Sequence, residues 1–350
     1  MRYTCLCLLT LVCTASEAQR FGVQIQPEAR LREQLDQDQE IGQIRIARQF
    51  GSGYLPLMVM RQFALIEKHA SAAGLGNIQV RWTLYPSGQA MNEALRLGFL
   101  DFASGGVVPL LKSWDRTRES RNVRGIAALA SMPLYLNTRR IKVRSLRDFT
   151  DQDRIALPAV QTSIQAVILQ MAAAQAFGPG GYTRLDKLTV SMPHPQARDA
   201  LLAGKSGITG HLTSPPFQYE ELQDRHVHRV LNSYDVLGGS ATFTTLWTTS
   251  QFRELNPRTF RAVYDALREA VDILNRNKRE AAKIFIQQAN SPRSVEFVEK
   301  IIAHPEIQYT IAPENVLKYA RFMFGMGTIK RAPASWKDVF FPEVYADARD

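Results

Sequence analysis

Ser87-Gly-Gln-Ala-Met-Asn-Glu-Ala-Leu-Arg-Leu-Gly98-Phe-Leu-Asp101-Phe-Ala-Ser104-Gly-Gly106 is the most informative stretch of this chain. Ser87 suits the N-cap of a helix, and Gly98 suits its C-terminal end. We expect a short strand over residues 101–103 and then an open loop at residues 104–106, where the glycine pair leaves backbone N–H groups exposed. This succession is typical of an α/β wall that holds a small ligand with backbone and hydroxyl groups.

Strands and helices alternate on both sides of this stretch. A strand is predicted over residues 44–50, followed by a glycine turn and one helix over residues 54–70 with an apolar face. Further strands are predicted at residues 78–82, 126–129, 134–136 and 154–157, and further helices at 163–177, 196–203, 257–276, 278–288 and 313–324. Such alternation favours βαβ units and mostly parallel sheets.

A short motif of the opening stretch recurs later in the chain. Glu93-Ala-Leu-x-x-Gly98 recurs as Asp199-Ala-Leu-x-x-Gly204, and a strand is predicted after each glycine. A match this short also arises by chance, but it suggests that one helix–glycine–strand unit is used once in each of two lobes.

The length and charge of the chain limit the number of domains and the classes of ligand to be expected. The chain has 350 residues, enough for two domains, and a formal net charge of +10. Its basic residues are scattered rather than clustered, which argues against nucleic-acid binding and favours a cationic surface that attracts anionic ligands.

The cysteines point to an export signal. Cys5, Cys7 and Cys13 all lie in an apolar N-terminal run that is too short to span a bilayer, and Ser16 and Ala18 suit a cleavage site. We therefore predict a signal peptide over residues 1–18, a flexible leader over residues 19–43, and a mature chain without cysteine. This chain is expected in the periplasm.

Several motifs, in this order, resemble the periplasmic solute-binding proteins of the nitrate, sulfonate and taurine ABC importers, including the thiamine-precursor-like branch. The resemblance runs from Ile44 to about Tyr345. It is carried by the glycine turn after the first strand, residues 98–106, 158–163 and 214–217, and the Ser-Trp-Lys-Asp motif that begins at Ser335.

The resemblance implies a type II periplasmic-binding fold, in which two α/β lobes joined by a two-segment hinge close around a ligand. Lobe one would comprise residues 44–137 plus 238–350, and lobe two residues 138–237. The chain would cross between the lobes near residues 134–137 and 233–239.

Ligand contacts are expected where strands end and helices begin, since helix N-termini offer free N–H groups and partial positive charge. Four such places are predicted, although Ser87 and Thr162 can also be simple N-caps. Together with neighbouring positions, the candidate contacts are Gln49, Gly51, Ser52, Tyr54, Ser87, Gly88, Ser104, Gly105, Gly106, Ser131, Gln161, Thr162, Ser163, His211, Ser214 and Phe217. Trp114 is a further candidate for an aromatic wall.

For two candidates, Arg48 and Asp235, the sequence allows either a binding or a structural role. Arg48 and Gln49 both end the first strand, and one of them is expected to face the cleft. Arg48 is the best candidate for a cation that meets a carboxylate, sulfonate or phosphonate, but a surface arginine is the slightly favoured interpretation. Asp235 suits either a hinge hydrogen bond or a ligand contact.

Motifs for catalysis are missing. The glycine turn lacks the third glycine of a dinucleotide site and the lysine of a P-loop, and there is no Gly-x-Ser-x-Gly elbow. His226 and His228 lack an obvious third metal ligand. Two enzyme classes share the fold, but one is cytosolic with clustered histidines and the other uses a cysteine nucleophile; here the histidines are dispersed in the sequence.

The resemblance thus implies a monomeric, non-enzymatic binding protein without a cofactor or metal, which delivers a small anionic organic solute to an ABC permease and its ATPase. A sulfonate or carboxylate is favoured over a bare inorganic ion. The alternatives are an extracytoplasmic enzyme on the same scaffold and a ligand sensor for a membrane receptor.

Overall fold

The computed structural model describes residues 40–347, which contain ten β-strands and thirteen α-helices besides short 3-10 turns. The strands are β1 (Gln43–Arg48), β2 (Gln79–Leu84), β3 (Ala103–Gly106), β4 (Val123–Ser131), β5 (Tyr135–Thr138), β6 (Ile155–Leu157), β7 (Thr189–Ser191), β8 (Gly210–Thr213), β9 (His228–Asn232) and β10 (Thr242–Thr249). The predicted signal peptide and most of the predicted leader lie outside the described residues.

The helices connect and cover these strands. They are α1 (Leu55–Gln62), α2 (Leu65–Ala72), α3 (Gly88–Arg96), α4 (Val107–Thr117), α5 (Ile164–Phe177), α6 (His194–Ala203), α7 (Phe217–Glu221), α8 (Ser233–Leu237), α9 (Ser250–Leu255), α10 (Pro257–Arg276), α11 (Lys278–Ala289), α12 (Val295–Ile302) and α13 (Val316–Gly325). Among them, none has both the length and the apolar character that a membrane span requires.

The first lobe is built on the strand order β2-β1-β3-β10-β4. Strands β1 and β2 are parallel, and a parallel bridge between Ile46 and Phe102 continues the sheet to β3. Strand β10 lies between β3 and β4 and is antiparallel to both. The sheet is therefore mixed, because β10, which joins it from the far part of the chain, is antiparallel to both of its neighbours.

The second lobe is built on a five-stranded sheet with the order β7-β6-β8-β5-β9. Strand β6 is parallel to β7 and β8, whereas β5 is antiparallel to β8 and β9. The chain enters this sheet between β4 and β5 and leaves it between α8 and β10, so two segments, residues 132–134 and 238–241, connect the lobes. Strand β5 pairs within the second sheet from Tyr135 onward.

The predicted single helix over residues 54–70 is wrong, since two helices, α1 and α2, replace it. The break is at Ala64, whose φ of 48° is left-handed, and it leaves Phe63 43 % exposed while Leu65 and Ile66 are buried. A continuous helix would have placed Phe63 on the apolar face. The sequence has no glycine or proline at this point, so the break left no recognisable signal.

The expected loop at residues 104–106 is also wrong, because Ser104, Gly105 and Gly106 are buried within β3, paired to β10. Both glycines permit close packing. A Cβ on Gly105 would lie 2.9 Å from the Trp247 ring, and one on Gly106 would lie 2.7 Å from Ile164. Gly106 then leads directly into α4, a helix that the sequence analysis did not predict.

The two copies of the repeated motif, which end at Gly98 and Gly204, correspond to two similar structural units. Helices α3 and α6 are each followed by a glycine with positive φ, 78° at Gly98 and 68° at Gly204. Strand β3 of the first lobe follows one glycine, and strand β8 of the second lobe follows the other. The same helix–glycine–strand unit therefore occurs once in each lobe.

Candidate functional site

A small cavity of about 20 Å³ lies between the two lobes, large enough for one water molecule. From the first lobe it is lined chiefly by Gln49, Phe50, Tyr54, Gly88, Gln89 and Gly106. From the second lobe it is lined by Pro158, Ala159, Ser163, Ile164, Gln165 and His194. Among the described residues, the lining contains no Lys, Arg, Asp or Glu.

Direct contacts between the lobes close the cavity. The Ser52 backbone N–H donates to the Pro215 carbonyl over 2.9 Å, and the Thr162 hydroxyl donates to Gln89 Oε1 over 2.8 Å. At the outer rim, Lys112 Nζ donates to the Gln161 carbonyl over 2.8 Å. The described conformation is thus one in which the lobes meet around the cavity.

Four helices begin at the cavity. Gly88 is the first residue of α3, Gly106 is the N-cap of α4, Ser163 is the N-cap of α5, and His194 is the first residue of α6. The partial positive charge of each N-terminus makes this region favourable for negative charge. The Ser87 and Ser163 side chains act as N-caps, accepting from the Ala90 and Ala166 N–H groups.

The structure distinguishes Gln49 from Arg48. Gln49 lines the cavity and its Nε2 donates to the Ser104 carbonyl over 3.4 Å. Arg48 is 8 % exposed and donates instead to the carbonyls of Gln49 and Gln288. Burial, and secondarily the charge of Arg61, lower the pKa of Arg48 to about 10. Arg48 is therefore a buried anchor of the first lobe rather than part of the lining.

The other predicted residues fall into three groups. Those that line the cavity with Gln49 are Tyr54, Gly88, Gly106 and Ser163. Those placed around it, at the junction of the lobes or behind the lining, are Gly51, Ser52, Ser87, Ser104, Gly105, Gln161, Thr162, His211, Ser214 and Phe217. Those that the structure does not bring to the lining, besides Arg48, are Ser131 and Asp235.

The latter two have other surroundings. Ser131 is buried at the end of β4, where its backbone pairs with Gln308. Asp235 is exposed in the short helix α8. Trp114 is buried in α4, and its Nε1–H donates to the Asp338 carbonyl over 2.8 Å, so it belongs to the core of the first lobe.

A buried chain of side chains leads from the second lobe to the cavity. Glu221 Oε1 lies 2.5 Å from His211 Nδ1, and His211 Nε2 lies 2.8 Å from His194 Nδ1. His194 Nε2 lies 3.2 Å from the Gln165 amide nitrogen. Glu221 and His211 are fully buried, while His194 reaches the lining and is 6 % exposed. We call Glu221, His211 and His194 the histidine relay.

The electrostatics of the relay follow from its burial. Burial, and secondarily the neighbouring His211, lower the pKa of His194 well below its usual value. The remaining oxygen of Glu221 accepts from Asn137 Nδ2 over 2.9 Å. The adjacent Glu220 is engaged separately, by Arg198 at 2.7 Å and Arg293 at 3.4 Å.

Sequence analysis missed His194 and judged the histidines dispersed, which is wrong for this pair. His194 and His211 are 17 positions apart and meet because α6 packs against β8. The only local signal was a histidine at the start of a helix, between Pro193 and Pro195.

By contrast, His226 is exposed beside Asp224, and His228 contacts the Val143 carbonyl. Within residues 40–347, no three His, Cys, Asp or Glu side chains form a group suited to a metal ion.

A larger open groove of about 760 Å³ adjoins the cavity at Gln89 and Pro109. Its basic lining residues are Arg96, Lys112, Arg116, Arg118, Lys330 and Arg331, and its acidic ones are Glu93, Asp115 and Glu119. This excess of positive charge outside an uncharged cavity favours the approach of anions.

The described chain closely matches solved binding-protein structures. An alkanesulfonate-binding protein of Xanthomonas axonopodis, bound to MOPS, superimposes with a TM-score of 0.65 and 20% identity over 89% of this chain and 99% of that one. The fold of this chain is therefore that of the periplasmic solute-binding proteins. The nitrate-binding protein of Synechocystis gives a TM-score of 0.67 at 15% identity over 89% of this chain and 86% of that one.

This binding-protein fold also occurs in a Candida albicans gene product, at a TM-score of 0.64, 13% identity and coverage of 88% and 96%. No protein-family model matches the sequence, and no curated protein matches it. The predicted fold of two α/β lobes joined by a two-segment connection is confirmed. At these identities the likeness establishes the fold, and the function must be argued from the cavity.

Proposed function

We propose that this chain is the exported substrate-binding component of an ABC importer and captures a small anionic organic solute between its lobes. The observation that carries the proposal is the meeting of four helix N-termini at a cavity whose described lining has no acidic side chain. Such N-termini bind sulfonate, carboxylate and phosphate groups without a formal cation.

The size of the cavity supports a binding cycle with moving lobes. A volume of about 20 Å³ cannot hold an organic solute, so the lobes must separate for a ligand to enter. The contacts to be broken include the hydrogen bonds from Ser52 to Pro215 and from Thr162 to Gln89. Ligand binding is therefore expected to change how tightly the lobes close.

Polar groups near the cavity are available to a ligand. The hydroxyls of Ser52 and Ser214 are buried without a hydrogen-bond partner in the described part of the chain, which is costly unless a ligand or water satisfies them. Phe50, Tyr54 and Phe243 add apolar surface for an organic group. These features favour a sulfonate or carboxylate with a small carbon skeleton over a bare inorganic ion.

A thermal-shift screen of the mature protein, beginning at Gln19, tests the ligand class. Ethanesulfonate, taurine, nitrate, acetate and benzoate should be compared with neutral and cationic analogues such as ethanol and ethylamine. A ligand at 100 times its Kd stabilises the folded state by about 2.7 kcal/mol. Stabilisation by neutral or cationic compounds alone would contradict the proposed anion site.

The transport role needs a separate test. Ligand-loaded protein should stimulate ATP hydrolysis by its cognate permease and ATPase, when these are reconstituted in liposomes. Stimulation is expected to require the ligand, and its absence with a tightly bound ligand would favour a sensor. Periplasmic fractionation and N-terminal sequencing at Gln19 test export.

Catalysis is the second candidate, because the histidine relay ends at the cavity in an arrangement that proton transfer also uses. Against it, the Ser163 hydroxyl is committed to the Ala159 carbonyl over 2.7 Å and caps α5. Incubation with the bound ligand followed by mass spectrometry distinguishes the two roles. An unchanged ligand after prolonged incubation is expected.

A further inference from the structure

We propose that His194 is an anion-contacting residue that becomes protonated as the ligand binds, so that each anion enters together with one proton. This inference rests on the proposed anion site and concerns how that site balances charge. It follows from the geometry of the histidine relay and from the composition of the cavity lining.

Beyond the partial charge of the helix N-termini, no fixed residue of the described lining supplies a full positive charge. Arg48 donates away from it, and Lys112 is held at the outer rim by the Gln161 carbonyl. Among the described lining residues, the titratable side chains are Tyr54 and His194. Burial raises the pKa of Tyr54 far above neutrality, which keeps it uncharged. His194 is thus the one described lining group able to gain a positive charge.

The hydrogen bonds place the protons of the unliganded relay. Glu221 has only acceptor oxygens when ionised, so His211 donates to it from Nδ1. His211 Nε2 then accepts from His194 Nδ1–H. This leaves the lone pair of His194 Nε2, at the cavity lining, to accept from the Gln165 amide N–H over 3.2 Å.

Protonation of that Nε2 turns it from an acceptor of the Gln165 N–H into a donor, so that the imidazolium and the Gln165 amide both have N–H groups to offer an anion in the cavity. The imidazolium is connected through His211 to the buried Glu221 carboxylate, which offsets its charge. One anion and one solvent proton enter together, and no bond of the ligand changes. The net charge of the buried site is therefore the same before and after binding, which avoids the cost of burying an uncompensated charge.

The other groups packed around His194 are neutral or are paired with one another. Helix α5 contributes the neutral Gln165, and β6 contributes apolar residues. On α6 itself, Arg198 is paired with Asp199 and Glu220. On α7 and β8, the titratable neighbours are Glu220, Glu221 and His211.

The test is the affinity of the mature protein for ethanesulfonate between pH 5.5 and 8.5, measured by calorimetry in buffers that contain no sulfonate. Ethanesulfonate stays ionised throughout this range, so any proton taken up belongs to the protein. We expect Kd to rise about tenfold per pH unit above the pKa of His194 in the free protein. A pH electrode in weakly buffered solution should record uptake of one proton per ligand bound.

Three variants distinguish titration of the histidine relay from a general effect of pH on ligand affinity. His194→Gln should flatten the pH dependence and abolish proton uptake, while Glu221→Gln should weaken binding most at pH 5.5. His226→Gln alters an exposed histidine and should leave the slope unchanged. If a variant fails to fold, the slope and proton count of the unaltered protein still decide the question.

The outcomes are distinguishable. Binding that varies less than twofold across this pH range, without proton uptake, overturns the relay inference but leaves the proposed anion site intact. No stabilisation by ethanesulfonate or by any other anion of the screen at pH 5.5 overturns both.

Discussion

Thr162 and Gln89 lie on opposite lobes, and the Thr162 hydroxyl donates to the Gln89 side-chain oxygen over 2.8 Å. The bond crosses the opening between the cavity and the outer groove, since Gln89 lines both. It is exposed to solvent, so its contribution to folding is small and its contribution to lobe closure is the larger effect.

Thr162→Val removes this hydroxyl and retains the shape of the side chain. We expect the free energy of unfolding to change by less than about 1 kcal/mol, with a ligand affinity lower by about two- to fivefold. Urea unfolding and calorimetry measure the two quantities. Thr183→Val, at an exposed threonine outside the lining, is the matched control. An unchanged affinity would show that the bond does not contribute to closure.

Gly106→Ala should act as a wedge between the lobes. Gly106 has a φ of −63°, which alanine adopts freely, but the new Cβ would lie 2.7 Å from Ile164 across the junction. Overpacking of this kind costs about 1–3 kcal/mol, so we expect ligand affinity to fall about tenfold or more. Small-angle scattering should show a more open molecule.

Two further variants test that explanation. Gly180→Ala adds a Cβ with no atom within 4 Å and should change nothing. The double variant Gly106→Ala with Ile164→Ala should recover most of the lost closure. If the double variant stays as open as the single one, steric wedging is not the cause.

Arg48 and Gln49 should have opposite effects although they are adjacent. Arg48→Met removes two hydrogen bonds to carbonyls of the first lobe, so we expect unfolding free energy to fall by about 1–3 kcal/mol and Kd to change less than threefold. Gln49→Ala should weaken ligand binding about tenfold with little effect on stability. Measuring both quantities for each variant would reveal whether Arg48 contacts the ligand after all.

The unliganded protein should lose stability in acid because of His194. Burial lowers the pKa of His194 in the folded state below its unfolded value of about 6.5. The neutral side chain therefore contributes fully above pH 6.5, and this contribution is lost as pH falls toward the folded-state pKa, by at most about 1.4 kcal/mol per pH unit.

Urea unfolding at pH 7.5, 6.5 and 5.5 measures this dependence. His194→Gln should show a shallower loss of stability, whereas His226→Gln, at an exposed position, should follow the unaltered protein. Identical profiles for all three proteins would mean that other groups dominate the acid response.

Much of the fold follows from local signals in the sequence, as three positions illustrate. Ser87 caps a helix as predicted, Ser163 caps α5 one residue after the predicted cap at Thr162, and Gly98 has the left-handed conformation expected after a helix. These residues act on neighbours within a few positions of themselves. A serine at an N-cap accepts from the N–H three residues on, so its role is visible in the sequence.

Other features depend on contacts that local sequence does not contain. Residues 104–106 form a strand because β10, which begins at Thr242, pairs with them. His194 reaches the cavity because α6 packs beside β8, which brings His211 within 2.8 Å. Trp114 is buried because its indole meets the Asp338 carbonyl near the far end of the chain. In each case the partner is distant in sequence.

The position of β10 constrains the order in which the chain can fold during its synthesis. The second sheet is made entirely from residues 135–232, whereas the first sheet lacks β10, the strand between β3 and β4, until Thr249 has been added. We therefore expect the second lobe to acquire native structure first, and β3 and β4 to remain unjoined until β10 inserts between them. A chain with this topology stays incomplete until most of its length is available.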